Sequence, residues 1–356
     1  MVPSTSPQIT VLLTVYNGMA YLRECVESVL AQTFRDFELV IVDDASTDQS
    51  LRLVESYHDP RIRIFRNEKN LGQVASLNKG LQYARGALIA RLDQDDVNLP
   101  TRLEGQRAFM DAHRDVAIVC SYEHTIDSSG KYVCSWRRTI PNYGSFLAYI
   151  LLGLCPVWHP SVMFRRDVVL RLGGYDTSFP LAEDFELWSR LALGRYGGAV
   201  VPAFHLLQRV HQDRQSERSA NTQQQSLIRA HERVLESLLP GQPVVCLAAL
   251  LRLEGDPCGR SYRREHASSL SSQIHTILNV VRSQKMLTDE ESLTLGLKIF
   301  SRVGPGVWFA ESLARLPENV FRWAFFVLSP VLLARFHSWA SAVGRSMRKL
   351  YVFYRW

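Results

Sequence analysis

The chain of 356 residues lacks the short signatures that most often assign a nucleotide or metal site. No Gly-x-Gly-x-x-Gly follows its first apolar run and no Gly-x4-Gly-Lys-Ser/Thr occurs, so neither a dinucleotide fingerprint nor a P-loop is present. The six cysteines, at 25, 120, 134, 155, 246 and 258, contain no Cys-x-x-Cys and no paired Cys/His spacing. That excludes a zinc or redox motif and leaves free thiols in a reducing cytosol as the expectation. Met1 to Gln8 offers no basic segment followed by an apolar run, so no secretion signal is expected. The longest nearly uncharged apolar stretch, Trp323 to Ala334, falls about eight residues short of the roughly 20 that span a bilayer, and Pro330 interrupts it.

Acidic residues are missing from one end. No Asp or Glu follows Glu318, whereas Arg322, Arg335, Arg345, Arg348, Lys349 and Arg355 do. The net charge, 41 − 35 = +6, therefore sits on the tail, and the rest of the chain is neutral. A neutral body with a basic, aromatic-rich tail points to an anionic membrane surface and away from nucleic acid. A content of 46% hydrophobic and 21% charged residues is that of a folded chain, long enough for about two domains.

Apolar runs of strand length alternate with helical stripes over the first 120 residues. Strands are expected at Ile9–Val15, Phe37–Val42, Ile62–Phe65, Ala87–Leu92 and Val116–Cys120. Helical spacing joins Tyr21, Leu22, Cys25, Val26, Val29 and Leu30, then Leu51 to Tyr57, then Val74, Leu77 and Leu81, and a further helix starts near Pro100. This alternation predicts an α/β fold with a mostly parallel, doubly wound, Rossmann-like sheet. From 121 to 215 the pattern is mixed, with strands at Lys131–Trp136, Ser161–Phe164 and His205–Val210 and a helix from Glu183 to Leu193. A boundary is expected near 216, separating a catalytic domain at 1–216 from an all-helical extension at 217–356.

Ligands of such sheets bind at the carboxyl ends of the strands. Those ends read Thr14-Val15-Tyr16-Asn17, Asp43-Asp44, Asn67 to Gly72 and Asp93-Gln94-Asp95-Asp96. Three carboxylates within four residues repel one another unless a cation sits among them, and hard oxygen ligands suit Mg²⁺ or Mn²⁺; the other reading is a solvated acidic turn capping the helix that begins near Pro100. Asp43 and Asp44 either belong to the cap of the following helix or accept hydrogen bonds from a base or ribose. Tyr16 either stacks on a nucleobase or belongs to the core. Glu183 and Asp184 fall in a first helical turn, where the dipole favours acids and depresses their pKa unless burial compensates. Strand alternation puts Arg209 and His211 on one face, within reach of a pyrophosphate or a metal.

Together these segments resemble glycosyltransferase family 2, inverting enzymes of GT-A fold that use nucleotide-sugar donors. The resemblance rests on Val11-Leu-Leu-Thr-Val-Tyr-Asn17, Gln32-Thr-Phe with Asp36 to Asp44, Asn70-Leu-Gly72, Asp93-Gln-Asp-Asp96, Gly173-Gly-Tyr-Asp176 and Glu183-Asp184, in that order, over about residues 8 to 216. It implies that Thr14, Tyr16, Asn17, Asp43, Asp44, Asn70 and Asp93 surround the nucleotide. It further implies that Asp93, Asp95 and His211 hold the metal and that Asp184 is the catalytic base. Glu183, His159 and Arg209 are expected near the acceptor or pyrophosphate. Gln208-Arg-Val-His-Gln212 stands where processive members carry Gln-x-x-Arg-Trp, so one sugar is added at a time.

The expected donor is a nucleoside-diphosphate sugar, with UDP favoured, and the expected acceptor a glycan or lipid-linked hydroxyl. The tail at about 318–356, with Trp323, Trp339, Tyr351 and Trp356 among basic residues, reads as a peripheral or monotopic element on the cytoplasmic face of a membrane. A helical hairpin or a homo-oligomer interface through the C-terminal helices is the other reading of that segment. A sugar-1-phosphate nucleotidyltransferase and a non-catalytic nucleotide-sugar-binding module remain alternatives. The first would release pyrophosphate, and the second would turn over no donor.

Overall fold

A computed structural model describes residues 6–212, 214 and 220–241, with isolated positions 276, 280 and 288. The basic tail at 318–356 and most of the extension beyond 241 lie outside the described residues.

The first half alternates strand and helix as the periodicity predicts: β1 (Ile9–Val15), α1 (Leu22–Leu30), β2 (Phe37–Asp43), α2 (Ser50–Glu55), β3 (Ile62–Arg66), α3 (Gln73–Tyr83) and β4 (Leu88–Leu92). Every residue of β2 is buried, as is nearly all of β1, which is why these runs show no polar alternation. Order β3-β2-β1-β4 and parallel pairing throughout bring the carboxyl ends of all four strands to one edge. The α1 residues Leu22, Cys25, Val26 and Val29 are buried at the i, i+3, i+4, i+7 spacing read from the sequence.

The second half is mixed. It comprises β5 (Val97–Asn98), α4 (Arg102–Ala112), β6 (Val116–Ile126), β7 (Tyr132–Trp136), α5 (Tyr143–Leu151), a 3₁₀ turn at His159–Ser161, β8 (Met163–Arg165), α6 (Arg166–Arg171), α7 (Glu183–Leu193) and β9 (Gly197–Arg209). The sheet continues from β4 as β8-β6-β9-β5, with β7 on β6. Here β6 and β9 are parallel, and β8, β5 and β7 pair antiparallel to their neighbours.

The second half departs from the sequence reading in several places, the short strand β5 and helix α6 among them. Strand β6 runs on to Ile126, β9 begins at Gly197 rather than near 205, and α5 was not expected. Glycine weakens a strand signal, which hides the start of β9. At Gly198 it is required: a Cβ there would come within 2.2 Å of the Phe146 ring on α5. The Asn142 side chain starts α5 by accepting from Ser145 N at 2.9 Å.

Helices cover both faces. One core joins α1, α2 and α4 to the sheet, and the other joins α3, α5, α6 and α7. Each fully buried Leu, Ile or Phe contributes about 1.5–3 kcal/mol. Helix α8 (Ala220–Leu238) belongs to the second core through Leu227, Ala230, Val234 and Leu235. The start of the extension therefore packs on the catalytic domain.

Candidate active site

The edge formed by the ends of β1, β2 and β4 is held by its own polar side chains. The Asp44 carboxylate accepts from Asn67 Nδ2 at 2.7 Å, Leu71 N at 2.8 Å and Gly72 N at 2.9 Å. Gly72 makes that approach at φ +86, a conformation glycine adopts freely. Asn17 Oδ1 accepts from Thr47 N at 2.8 Å and Asp48 N at 3.3 Å, binding the first loop to the second. Exposed Asn70 accepts from Gly72 N at 3.0 Å. Asn17, Asp44 and Asn70 thus shape the cleft, and their side-chain oxygens are engaged with the chain.

Other groups here stay open. Asp43 is fully buried, and its Oδ1 has no partner among the described residues. Tyr16 is 44% exposed at the mouth of the cleft. Its backbone is clipped by Gln94, which accepts from Tyr16 N at 2.9 Å and donates to Tyr16 O at 3.1 Å. A Cβ at Gly18 would collide with that amide at 2.4 Å. Thr14 is partly buried next to this loop, opposite Val42 in the sheet.

Beyond β4 the carboxylates of Asp93, Asp95 and Asp96 bring ligand atoms within 4.8 Å of one another. Asp93 is gripped at both oxygens by the buried guanidinium of Arg91. Burial raises the Asp93 carboxyl and Arg91 partly offsets this. Asp96 is raised well above the carboxylate range by burial and then by repulsion from Asp95 and Asp93. Its Oδ1 accepts from Arg209 N at 2.8 Å, and its Oδ2 is buried without a partner among the described residues.

His211 closes the cluster from the far end of β9, its Nε2 2.9 Å from Asp95 Oδ2. Two ligands of an octahedral Mg²⁺ or Mn²⁺, each about 2.1 Å from the ion and at right angles, stand roughly 3 Å apart. The 2.9 Å between His211 Nε2 and Asp95 Oδ2 fits two neighbouring ligands of such a cation. Arg209 is differently occupied. Its guanidinium meets Glu24 Oε2 at 2.5 Å, Asp95 O at 3.1 Å and Asp127 O at 3.3 Å, and it covers the Tyr21 ring at 4.7 Å. It braces the acidic loop and is 2% exposed.

Glu183 and Asp184 open α7, as the sequence indicates. Asp184 Oδ1 accepts from Phe185 N at 2.7 Å, and Oδ2 accepts from the Cys155 thiol at 3.4 Å. Burial raises Asp184 despite these hydrogen bonds, so desolvation outweighs the helix dipole. Glu183 is pushed up to about 7 by burial and by Asp184. His159 is buried, with Nε2 3.0 Å from Tyr175 Oη. Burial and then Arg91 hold its pKa well below the usual histidine value. A neutral ring makes the 4.0 Å approach of His159 Nδ1 to Glu183 Oε1 a dipolar contact and not an ion pair. The turn that carries His159 runs on to Val162, whose O accepts from Arg91 N at 3.0 Å, so the start of α7, approached by His159 at Glu183, lies beside the end of β4 that leads into the acid loop.

The model of the family described as Glycosyl transferase family 2 matches residues 10–173. An uncharacterized glycosyltransferase of Methanocaldococcus jannaschii is 32% identical over 208 residues, 57% of this chain and 71% of that protein. The O-antigen biosynthesis glycosyltransferase WbnJ of Escherichia coli is 31% identical, over 51% of this chain and 71% of that protein. The chain belongs to glycosyl transferase family 2. Among solved structures, TarS 1–349 of S. aureus in complex with UDP-GlcNAc is similar in fold, with TM-score 0.57 and 18% identity over 83% of this chain and 88% of that one.

Several residues of this glycosyltransferase's site were not singled out by sequence reasoning. Arg91, the partner of Asp93, had a signal: it is a charge inside an apolar strand run. Cys155 gave none, since it touches Asp184 only through the fold. Glu123 on β6 is 1% exposed, its carboxyl is pushed up to about 7 by burial, and its Oε2 has no partner among the described residues. The guanidinium of Arg214 lowers Asp93, Asp96 and Glu123 alike.

Proposed function

We propose that this glycosyltransferase transfers one sugar from a nucleoside-diphosphate sugar, with UDP favoured, to a hydroxyl of a glycan or lipid-linked acceptor, inverting the anomeric carbon. The observation that carries the reading is the pairing of a buried, raised carboxylate at Asp184 with the acid cluster Asp93, Asp95 and Asp96 in one polar region.

In this reading Tyr16 and Thr14 flank the base, and the unsatisfied Oδ1 of Asp43, in place of the engaged Asp44, receives its N–H. Asp95 and His211 are the metal ligands, with Asp93 and Asp96 beside them, and a bound Mn²⁺ or Mg²⁺ would neutralise charge building on the leaving diphosphate. Asp184 takes the proton of the acceptor hydroxyl, whose oxygen attacks the anomeric carbon opposite the diphosphate. Its raised pKa makes it a stronger base than an exposed aspartate once ionised. Glu183 and His159 orient the start of α7, and Arg209 holds the loop that carries Asp95.

The O-antigen role in WbnJ's name extends the reading to polysaccharide synthesis. No helix among the described residues is long and apolar enough to cross a membrane. A peripheral or monotopic location at the cytoplasmic face, through the basic tail, belongs to the same proposal. So do a boundary near 216 and self-association through the C-terminal helices.

The test is a nucleotide-sugar panel, with and without Mn²⁺, read by thermal stabilisation and product analysis. A metal-dependent rise in melting temperature with one donor, and nucleoside diphosphate as product, is expected. Release of pyrophosphate from a nucleoside triphosphate and a sugar 1-phosphate, with no transfer from any nucleotide sugar, would make the protein a nucleotidyltransferase. Stabilisation without turnover under any acceptor would leave a binding module.

A further inference from the structure

Edge strand β7 exposes Tyr132, Val133 and Trp136, at 59%, 53% and 51%. Large exposed aromatics mark contact surfaces. Tyr132 bonds Ser135 Oγ through its hydroxyl at 2.9 Å, whereas the Trp136 indole Nε1 donates across to β6, to Thr125 Oγ1 at 3.0 Å. That bond fixes the ring and uses its one donor, so what remains on offer is an apolar face.

Trp136 pairs with Glu123 in the β6–β7 register, and register partners leave a sheet on the same face. Glu123 Oε2 is buried and without a partner among the described residues. Three residues on from Glu123, Ile126 pairs with Arg209, whose N donates to Asp96 Oδ1 at 2.8 Å and whose Nε donates to Asp95 O at 3.1 Å, so this end of β6 lies against the acid loop. A second path runs to the base. Two residues after Trp136, the Arg138 guanidinium donates to Cys155 O and to Pro156 O, and the Cys155 thiol reaches Asp184.

A flat apolar ring beside an unsatisfied carboxyl oxygen, linked to the base by two side chains, matches a pyranose. Such a sugar presents a C–H face to the electron-rich indole and hydroxyl donors at its rim. We propose that Trp136 and Glu123 form a subsite for a pyranose ring of the acceptor, Trp136 stacking under the ring and Glu123 accepting from a hydroxyl. This rests on the transferase reading for the word acceptor, but binding of a pyranose at Trp136 can be observed without turnover.

The first experiment follows the indole Nε1–H resonance of Trp136 in the full chain with ¹⁵N-labelled tryptophan, assigned by its loss in Trp136→Phe. Methyl β-D-glucopyranoside, methyl β-D-galactopyranoside and N-acetylglucosamine are titrated, with glycerol as control. A saturable shift with at least one pyranoside is expected, and no shift beyond that of glycerol overturns the subsite. The second is steady-state kinetics with the donor found by the panel. Trp136→Ala is expected to raise the acceptor KM about tenfold while the donor KM moves less than about twofold, and Val133→Ala is expected to leave the acceptor KM unmoved. Equal shifts in both KM values, or none, overturn the proposal. So does loss of liposome binding or of self-association in Trp136→Ala when no pyranoside moves the resonance. Pyranoside shifts in a chain that turns over no nucleotide sugar would keep the sugar subsite and remove the transferase details.

Discussion

In the parallel half of the sheet Asp44 gives both carboxylate oxygens to Asn67, Leu71 and Gly72, whereas in the mixed half Glu123, Glu183 and Asp96 each keep a buried oxygen with no partner among the described residues. Up to Leu92 the buried side-chain atoms lacking a partner are Asp43 Oδ1 and Arg91 Nε, and nine more lie between Asp96 and His211. Unsatisfied buried polar atoms cost about 1–3 kcal/mol each, so a fold retains them where a ligand supplies what is missing. The first half is a finished cradle in which Asp43 marks the open position. Glu38, Asp48 and Asp59 of the first half are lowered, whereas Asp96, Glu123, Glu183 and Asp184 of the second are raised, and proton transfer is expected there.

The sharpest way to break this contrast is to remove the proposed base. Asp184→Asn keeps the shape and the acceptor for Phe185 N but cannot take a proton. Turnover measured in a single-turnover assay is expected to fall about a thousandfold, within the 10²–10⁴ range of general-base catalysis, while donor-induced thermal stabilisation persists. Wild-type turnover should rise with pH as the Asp184 and Glu183 pair ionises, above the pH at which an ordinary aspartate would have done so. The counterpart in the first half is Asp44→Asn, which turns an NH₂ toward backbone donors. It is expected to lower folding stability by about 3 kcal/mol, read from the urea midpoint, since hydrogen bonds to a charged group are worth about 1.5–3 kcal/mol each.

The contrast between halves also decides what could be read in advance. Strands β1 to β4 and helix α7 were legible because fully buried runs and a 3.6-residue period leave their mark on any sequence. The Asp93–Asp96 cluster was legible because it directly follows the fully buried run of β4. The work done by Asp44 and Asn17 was not, since an acid or amide after a strand looks the same whether it holds a loop or a ligand. Glu123 escaped because the strand expected at Val116–Cys120 stops short of it, and only the fold, in which β6 runs on to Ile126, buries its side chain. Pairing Arg209 with His211 as substrate groups followed correctly from alternation, but alternation carries no information about the Glu24 carboxylate that takes up Arg209.

A smaller effect sharpens the same contrast through pH. Glu123 has its pKa moved from 4.5 to about 7 by burial, with Arg214, Arg138 and Arg102 opposing. Between those values the folded chain binds a proton that the unfolded chain has lost, so stability falls as pH rises through this window. Glu123→Gln removes that loss. The variant should match wild type near pH 4.5 and exceed it by about 2 to 3 kcal/mol at pH 8, compared by urea denaturation without added metal. A constant difference across the range would mean that Glu123 is already ionised and paired in the folded chain.

The smallest expected effect tests whether the mixed half is unfinished because it awaits a cation. His211→Ala leaves Asp93, Asp95 and Asp96 in place and removes the one ring nitrogen that approaches them, 2.9 Å from Asp95. If His211 and Asp95 are ligands of one ion, Mn²⁺ should bind about tenfold more weakly, seen as a rightward shift of the Mn²⁺ titration of donor-induced stabilisation. Stability without metal should fall by only about 1 kcal/mol, for the contact with the Tyr21 ring at 4.9 Å and the hydrogen bond to Asp95. The opposite result, a destabilised chain with an unmoved Mn²⁺ titration, would make His211 and Asp95 an internal brace like Asp44 and its loop. The two halves of the sheet would then differ in topology alone, and the metal would have to be held by Asp93 and Asp96 against the competing claim of Arg91.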